Sequence, residues 1–442
     1  MAAAIGNATN GDTLLVRSGT YLEHSLVINK TISLIGQNAD NTIIEDIDPN
    51  VPINIPGMNP PFTMMSLPIP VTISANNVVV SGFTITNINS NTTVDIYSSG
   101  SKTLITGNNC PDGIKLEIGS YQTAAQNNAS VINCVSPNCF IANNTLAGEV
   151  AGNGGIGVGA SGLSVADNTV VYGNIILNEE FGIDVYNCQG VLVAENYAVN
   201  SHGAIAMSNC GNNVIEGNTV TNSFIGLSEA ISAYAQVNAG NGGNNTFYAN
   251  NIVNNSNAVI LTGIDDTLYG NDFINNSQDT GSFGPQPNVP LNLTPVILWD
   301  NGTIGNYWSD YLTKYPNATE VDNSGVGNIA YVIEANDTDP YPLIAPYDTS
   351  TLLIQLPIWV NLSLAATLPT PYFPPPHSSS LSTSPSPSSS TSPSSTASLS
   401  PSPLLSQQPF SIVTVAGVLA AVAVVSIGAI FLVYFVKRKR GS

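Results

Sequence analysis

Apolar residues in the middle of the chain come in short β-branched runs, separated by asparagine and glycine, and the runs recur at a fixed interval. YGNIILN from Tyr172, AENYAVN from Ala194 and EGNTVTN from Glu216 place Asn174, Asn196 and Asn218 22 residues apart. Between them NEEFGIDVYNC (Asn178 to Cys188) aligns with NSHGAIAMSNC (Asn200 to Cys210), which sets Cys188 over Cys210. Runs this short, with no 3.6-residue period, predict strands, and a repeat of this length predicts a solenoid. One coil cannot bury its own apolar face, so coils must stack about 4.8 Å apart and pair backbone to backbone. Asparagine tolerates left-handed turns and can bond the next asparagine along the column. Asn174, Asn196 and Asn218, with Asn251 and Asn271 further on, are therefore expected to form a ladder.

The same pattern runs from NNVVVSGFTITN at Asn76 to DDTLYGNDFIN at Asp265, giving about nine to eleven coils across residues 37–298, after an N-terminal cap and first coil at 1–36. The chain is expected to be all-β. Residues 48–70 interrupt with seven prolines and with Met58, Met64 and Met65, which no central strand tolerates, and read as a projecting loop. Glycine-rich insertions at 151–162 and 238–243 read as corner loops, where solenoids build binding surfaces. From Trp299 the pattern changes. Residues 299–348 read as a C-terminal cap in which Tyr307, Trp308, Tyr311 and Tyr341 hide the last open edge.

After a transition at 349–368 comes a Ser/Pro/Thr-rich stretch, 369–410, which cannot bury a core and reads as an extended, O-glycosylated stalk. Ser411 to Val436 carries no charge over 26 residues and reads as one transmembrane helix, followed by the basic tail 437–442. The positive-inside rule places the tail in the cytoplasm and the β-helix outside, at the cell membrane. That topology needs an export signal, which is expected upstream of Met1. Sequons such as Asn91, Asn143 and Asn301 suit an exported glycoprotein. Before the C-terminal segment, 29 acidic residues face five basic ones, a net charge of −24, so nucleic acid is excluded as a partner.

NGDTLLVRSGTYLEHSLVINKTISLIGQN from Asn10 resembles, at Gly11, Asp12, Thr13, Gly19, Thr20, Tyr21, Leu34, Ile35 and Gly36, the opening of NosD-type periplasmic copper-binding proteins of archaea and bacteria. These belong to the carbohydrate-binding and sugar-hydrolase β-helix group. GNYWSDY from Gly305 and DPYPL from Asp339 resemble their closing phrases. The resemblance implies a right-handed parallel β-helix with a short capping helix before Gly11, and glycans or cell-envelope components as partners.

The candidate chemistry is sparse. A lyase or hydrolase needs clustered carboxylates on one exposed face, and the candidates are Asp184, Asp265 and Asp266, with His202 in a column with Glu180 and Phe224. Tyr172, Tyr186, Tyr197 and Tyr248 are candidate sugar-stacking residues. Copper has few donors, since His24 and His202 are the histidines before the stalk and no H-x-H or M-x-x-M cluster occurs there. No cofactor is expected apart from calcium, for which Asp322 and Asn323 are the candidates. Adjacent coils bring Cys188 and Cys210 within disulfide range, to bridge or to stack as thiols, and Cys134 and Cys139 flank a short loop they could close. The leading reading is non-catalytic recognition or structure at the cell surface. A polysaccharide lyase or hydrolase, and an accessory factor in copper-enzyme maturation, are the alternatives.

Overall fold

Each coil lays down three short strands, and the equivalent strands of successive coils pair into three long sheets. The computed structural model describes residues 1–48, 51–55, 62–66, 68–88, 94–148, 154–160, 166–230, 243–280, 296–334 and 337–360. The expected stalk, transmembrane helix and basic tail lie outside these residues, as do 361–368 and parts of the proline-rich and glycine-rich insertions. Among the described residues the first sheet has 12 strands, from Thr13–Val16 to Val296–Leu298. The second also has 12, from Gly19–Glu23 to Tyr307–Trp308, and the third has 11, from Leu26–Ile28 to Gln278–Thr280. Neighbours pair in parallel, as in Val170–Tyr172 on Leu192–Ala194, and such crossovers are right-handed. The fold is the expected parallel β-helix, with twelve coils among the described residues against the expected nine to eleven. The 22-residue interval holds in the centre, whereas elsewhere equivalent asparagines stand 17, 19, 30, 32 or 35 residues apart, so a single ruler does not fix the count.

The core is a set of one-residue columns. Ile141, Val171, Val193, Ile215, Phe247 and Leu268 lie over one another in register and are buried. Each such side chain contributes roughly 1.5–3 kcal/mol on burial. Asparagine divides its two talents between two columns. Asn108, Asn127, Asn144, Asn174, Asn196, Asn218, Asn250, Asn271 and Asn306 form the buried ladder, each Nδ2 donating to the next Oδ1 at 2.9–3.2 Å. Asn250, not the expected Asn251, occupies the rung, because Asn251 pairs with Thr219 in the second sheet, facing out of the core. The left-handed corners belong to a different column, Asn178, Asn200, Asn222, Asn254 and Asn275, with φ of 52–60°.

Both ends are closed. The helix Ala2–Asn7 buries Ile5 over the first coil, and Lys30 Nζ caps its C-terminal carbonyls, donating to Ile5, Gly6 and Ala8 at 2.6–3.1 Å. At the other end Phe273, Trp308 and Tyr331 stack face to face at 4.3 and 4.4 Å, with Lys314 Nζ 3.9 Å from the Tyr331 ring. Trp299 and Tyr311 are buried beside them, while the expected capping residues Tyr307 and Tyr341 stay partly exposed. The proline-rich segment forms an antiparallel hairpin, Val51–Ile55 with Phe62–Ser66, outside the three sheets, where a loop was expected.

Beyond the cap the chain turns back along the outer face of the first sheet. Tyr347 N donates to Asp272 Oδ1 at 2.8 Å, Leu352 and Ile354 lie against Gly217, and Leu356, Trp359 and Val360 pack with Phe140, Val170 and Tyr172. Within this strap Leu352, Ile354 and Leu356 are partly covered while Leu353 is 79% exposed, the alternation of an extended segment with one face down. The start of the expected transition, 349–360, is therefore part of the β-helix surface.

Candidate functional site

Three aromatic rings project side by side where the third-sheet strands Phe181–Tyr186, Gly203–Ser208 and Ile225–Ala230 begin. His202 stacks on Phe224 at 4.9 Å and 22°, and Phe181 meets His202 edge-on at 6.5 Å. Phe181 is 37% and Phe224 48% exposed. The repeat builds this ridge: His202 and Phe224 occupy the same corner of consecutive coils, and Gly203 leaves room for the Phe181 ring, where a Cβ would meet Cδ1 at 3.2 Å. Beside it runs an amide step, Asn200 Nδ2 donating to Asn178 Oδ1 at 3.1 Å. Such a rim of flat apolar rings and planar amides offers stacking and hydrogen bonds together. The 22-residue alignment puts Glu180, His202 and Phe224 in one column, and Phe181, which joins the ridge in place of Glu180, is one residue out of register with them.

Asp184 lies on the strand that starts at Phe181, directed outward and half-buried, and burial pushes it up to about 6. Its register neighbours Ala206 and Ser228 also face outward yet are buried, so the middle of this face is closed while the ridge at its edge is open. Asp184 pairs with Ala206, four residues past His202, which puts roughly 13 Å of strand between the two candidates. Glu179, buried beneath the ridge against Gly148 and Gly154, is raised to about 7 by burial, against the pull of the Gly148 backbone.

The remaining candidates do not converge. A bulge between Ile264 and Asp266 gives Asp265 a φ of 60° at the surface and turns Asp266 inward, fully buried. Asp266 thus belongs to the core. It ends a second ladder, in which Asn213 Nδ2 donates to Asn245 Oδ1 at 3.0 Å and Asn245 Nδ2 to Asp266 Oδ1 at 3.1 Å. Its Oδ2 faces Glu229 Oε2 across Gly263, and both residues are inaccessible to solvent. Desolvation and the facing Asp266 carboxylate push Glu229 far above the ordinary carboxyl range, so the pair keeps one proton rather than two negative charges. The first ladder ends the same way, in buried Asp339, which accepts from Asn306 N at 2.7 Å and Trp308 Nε1 at 2.9 Å and is raised by burial to about 6.

The four tyrosines fall on three different sheets. Tyr172 and Tyr248 lie on the first, beneath or beside the strap: Tyr172 donates to Glu195 Oε2 at 2.6 Å, and Tyr248 stacks on Tyr269 and hydrogen-bonds Tyr347. Tyr197 is on the second and Tyr186 on the third. They form no common platform. Cys134 and Cys139 are joined in a disulfide, whereas Cys188 and Cys210 are buried thiols, each donating to a carbonyl of its own coil at 3.2 Å. Asp322 and Asn323 form a left-handed turn, with φ of 49° and 54°.

Three parallel sheets wound from one repeating coil define a parallel β-helix protein. Residues 143–313 match the family described as periplasmic copper-binding protein (NosD), so the resemblance read from the two ends also marks the central coils. No curated protein matches the sequence. Among solved structures, the A-module of the mannuronan C-5 epimerase AlgE6 of Azotobacter vinelandii is 14% identical at a TM-score of 0.41, over 65% of this chain and 91% of that one. A hyperthermoactive exopolygalacturonase from Thermotoga maritima is 11% identical at 0.39, over 60% and 79%, and an alginate lyase from Paenibacillus sp. str. FPU-7 is 13% identical at 0.32, over 67% and 96%. Likenesses this loose say nothing about chemistry. Nor do the donors among the described side chains, which do not include those of Met58, Met64 and Met65, suit the copper of the family description. Cys188, Met207 and Cys210 are buried, His24 is paired with Asp48 at 2.6 Å, and His202 is stacked. No group of three or more His, Cys, Asp or Glu among the described residues could hold a metal, and no described helix is long and apolar enough to cross a membrane.

Proposed function

We propose that this chain is a surface β-helix that recognises glycans of the cell envelope without cleaving them. It is held by its C-terminal apolar segment with the coils outside, and the periplasmic description of its family agrees with an exported location. The observation that supports recognition is the exposed ridge of Phe181, His202 and Phe224 with the Asn178 and Asn200 amides beside it. Aromatic rings stack on the apolar faces of sugars and amides bond their hydroxyls. The carboxylates proposed from the sequence are dispersed, and Asp184 alone of them lies on the strand next to the ridge. Retention of the full-length chain, in detergent, on an array of polysaccharides, scored also for new reducing or unsaturated ends, tests the reading. Binding is expected without cleavage, and Phe181→Ala with Phe224→Ala should abolish it. Cleavage that disappears in Asp184→Asn would replace this reading with a lyase or hydrolase. The NosD match supports one further reading, an accessory role in copper-enzyme maturation, which stoichiometric copper binding by the purified chain would favour.

A further inference from the structure

The ridge lies within the longest stretch of the chain without a Lys or Arg. Residues 116–313 contain fifteen Asp and Glu and no Lys or Arg. Lys115, just before this stretch, is paired with Glu117 at 3.2 Å, and Lys314, just after it, lies over the Tyr331 ring of the cap. Glu180 directly precedes Phe181, and Asp184 follows on the same strand. A glycan reaching the ridge therefore meets rings, amides and uncompensated carboxylates. A polymer of uronates, sulfated sugars or phosphosugars would bring like charge to this surface with no Lys or Arg to receive it, and like charges set against each other oppose association. A polymer bearing ammonium groups meets the opposite case, drawn in by the summed field and able to place its charge over the ring faces.

Resting on the glycan-recognition reading, we infer that the Phe181, His202 and Phe224 ridge selects amino-sugar polymers with free ammonium groups and rejects polyuronates. The test uses the full-length chain in a neutral detergent and three oligosaccharide probes of matched length: glucosamine oligomers, their N-acetylated counterparts and oligogalacturonates. Glucosamine oligomers should bind about ten-fold more tightly than the N-acetylated ones at ~0.01 M salt, where the Debye length is ~30 Å, and the advantage should vanish near ~1 M, where it is ~3 Å. Oligogalacturonates should not bind. Glu180→Gln with Asp184→Asn should erase most of the advantage while leaving N-acetylated binding in place, and Phe181→Ala with Phe224→Ala should abolish binding of both. Equal binding of free and acetylated oligomers would overturn the inference and leave glycan recognition standing. Uronate binding would do the same. Amine binding that survives loss of both phenylalanines would show general attraction to an acidic surface, and would also overturn it. If no probe or other polysaccharide binds, both readings fail.

Discussion

One atom decides how the second ladder ends. An asparagine at position 266 would place an N–H donor where Asp266 Oδ2 now faces Glu229 Oε2, and that arrangement needs no extra proton. With aspartate the proton must come from solvent, so folding takes one up. Burial and the facing Asp266 carboxylate raise Glu229 well above its unfolded value, so its stabilising share is complete below about pH 4.5 and is lost as pH rises through the raised folded value. Asp266→Asn should leave the unfolding midpoint near pH 5 almost unchanged and raise it near pH 9. Parallel pH slopes in thermal melts of the two proteins would refute the shared proton. The first ladder gives a second residue-scale contrast. Asn196 Nδ2 donates to Val171 O, Ala194 O and Asn218 Oδ1, and its Oδ1 serves Asn174, so Asn196→Ala strands several buried groups at about 1–3 kcal/mol each. Asn251→Ala, one column away, leaves the ladder untouched and should cost far less in chemical denaturation.

At the scale of elements, the positions before the ladder asparagines carry information that composition hides. Gly173, Glu195, Gly217, Ala249 and Gly270 all adopt φ of 53–64°, which turns the following asparagine into the core. Gly217 also has Leu352 of the strap 2.8 Å from where a Cβ would stand. Gly217→Ala should therefore cost about 1–2 kcal/mol in backbone conformation and loosen the strap as well. Leu352→Asp with Leu356→Asp should free the strap outright, read as rapid proteolysis within 345–360 while the coils stay resistant. The β-helix was legible because its repeat is periodic, and the two ladder neighbours Asn250 and Asn251 were confused because NN offers two registers one residue apart. The strap was not legible. Its alternating Leu352, Ile354 and Leu356 carry the pattern of a strand, but nothing in the sequence names the sheet they cover.

At the scale of the whole molecule, six acids among the described residues are shifted in the same direction by burial. Asp184, Asp272, Asp279 and Asp339 are raised to about 6, Glu179 to about 7 and Asp95 to about 8, each chiefly by desolvation. Each binds its proton more tightly folded than unfolded, so their joint contribution is fully present below about pH 4 and is lost as pH rises to about 8. The thermal midpoint should accordingly be highest in mild acid and fall toward pH 9, and a midpoint rising across that range would contradict the burial described. Sequence could count these carboxylates but not tell core from surface. Asp265 and Asp266 are adjacent, and only the bulge separates an exposed side chain from a buried one. The ridge was legible in part, as a column holding His202 and Phe224. Phe181 joins it through space left by Gly203, a relation between coils that no one-dimensional interval expresses.

The returning strap also settles where a pull on the chain is felt. Because residues 347–360 run back from the coil of Asp272 to that of Phe140 and Val170, tension arriving from the C-terminal side bears first on the middle of the solenoid and bypasses the aromatic cap. The strap is then a mechanical fuse. Stretched between its ends in a single-molecule experiment, the protein should first release about 4–5 nm of slack, the extended length of the strap, before any coil opens.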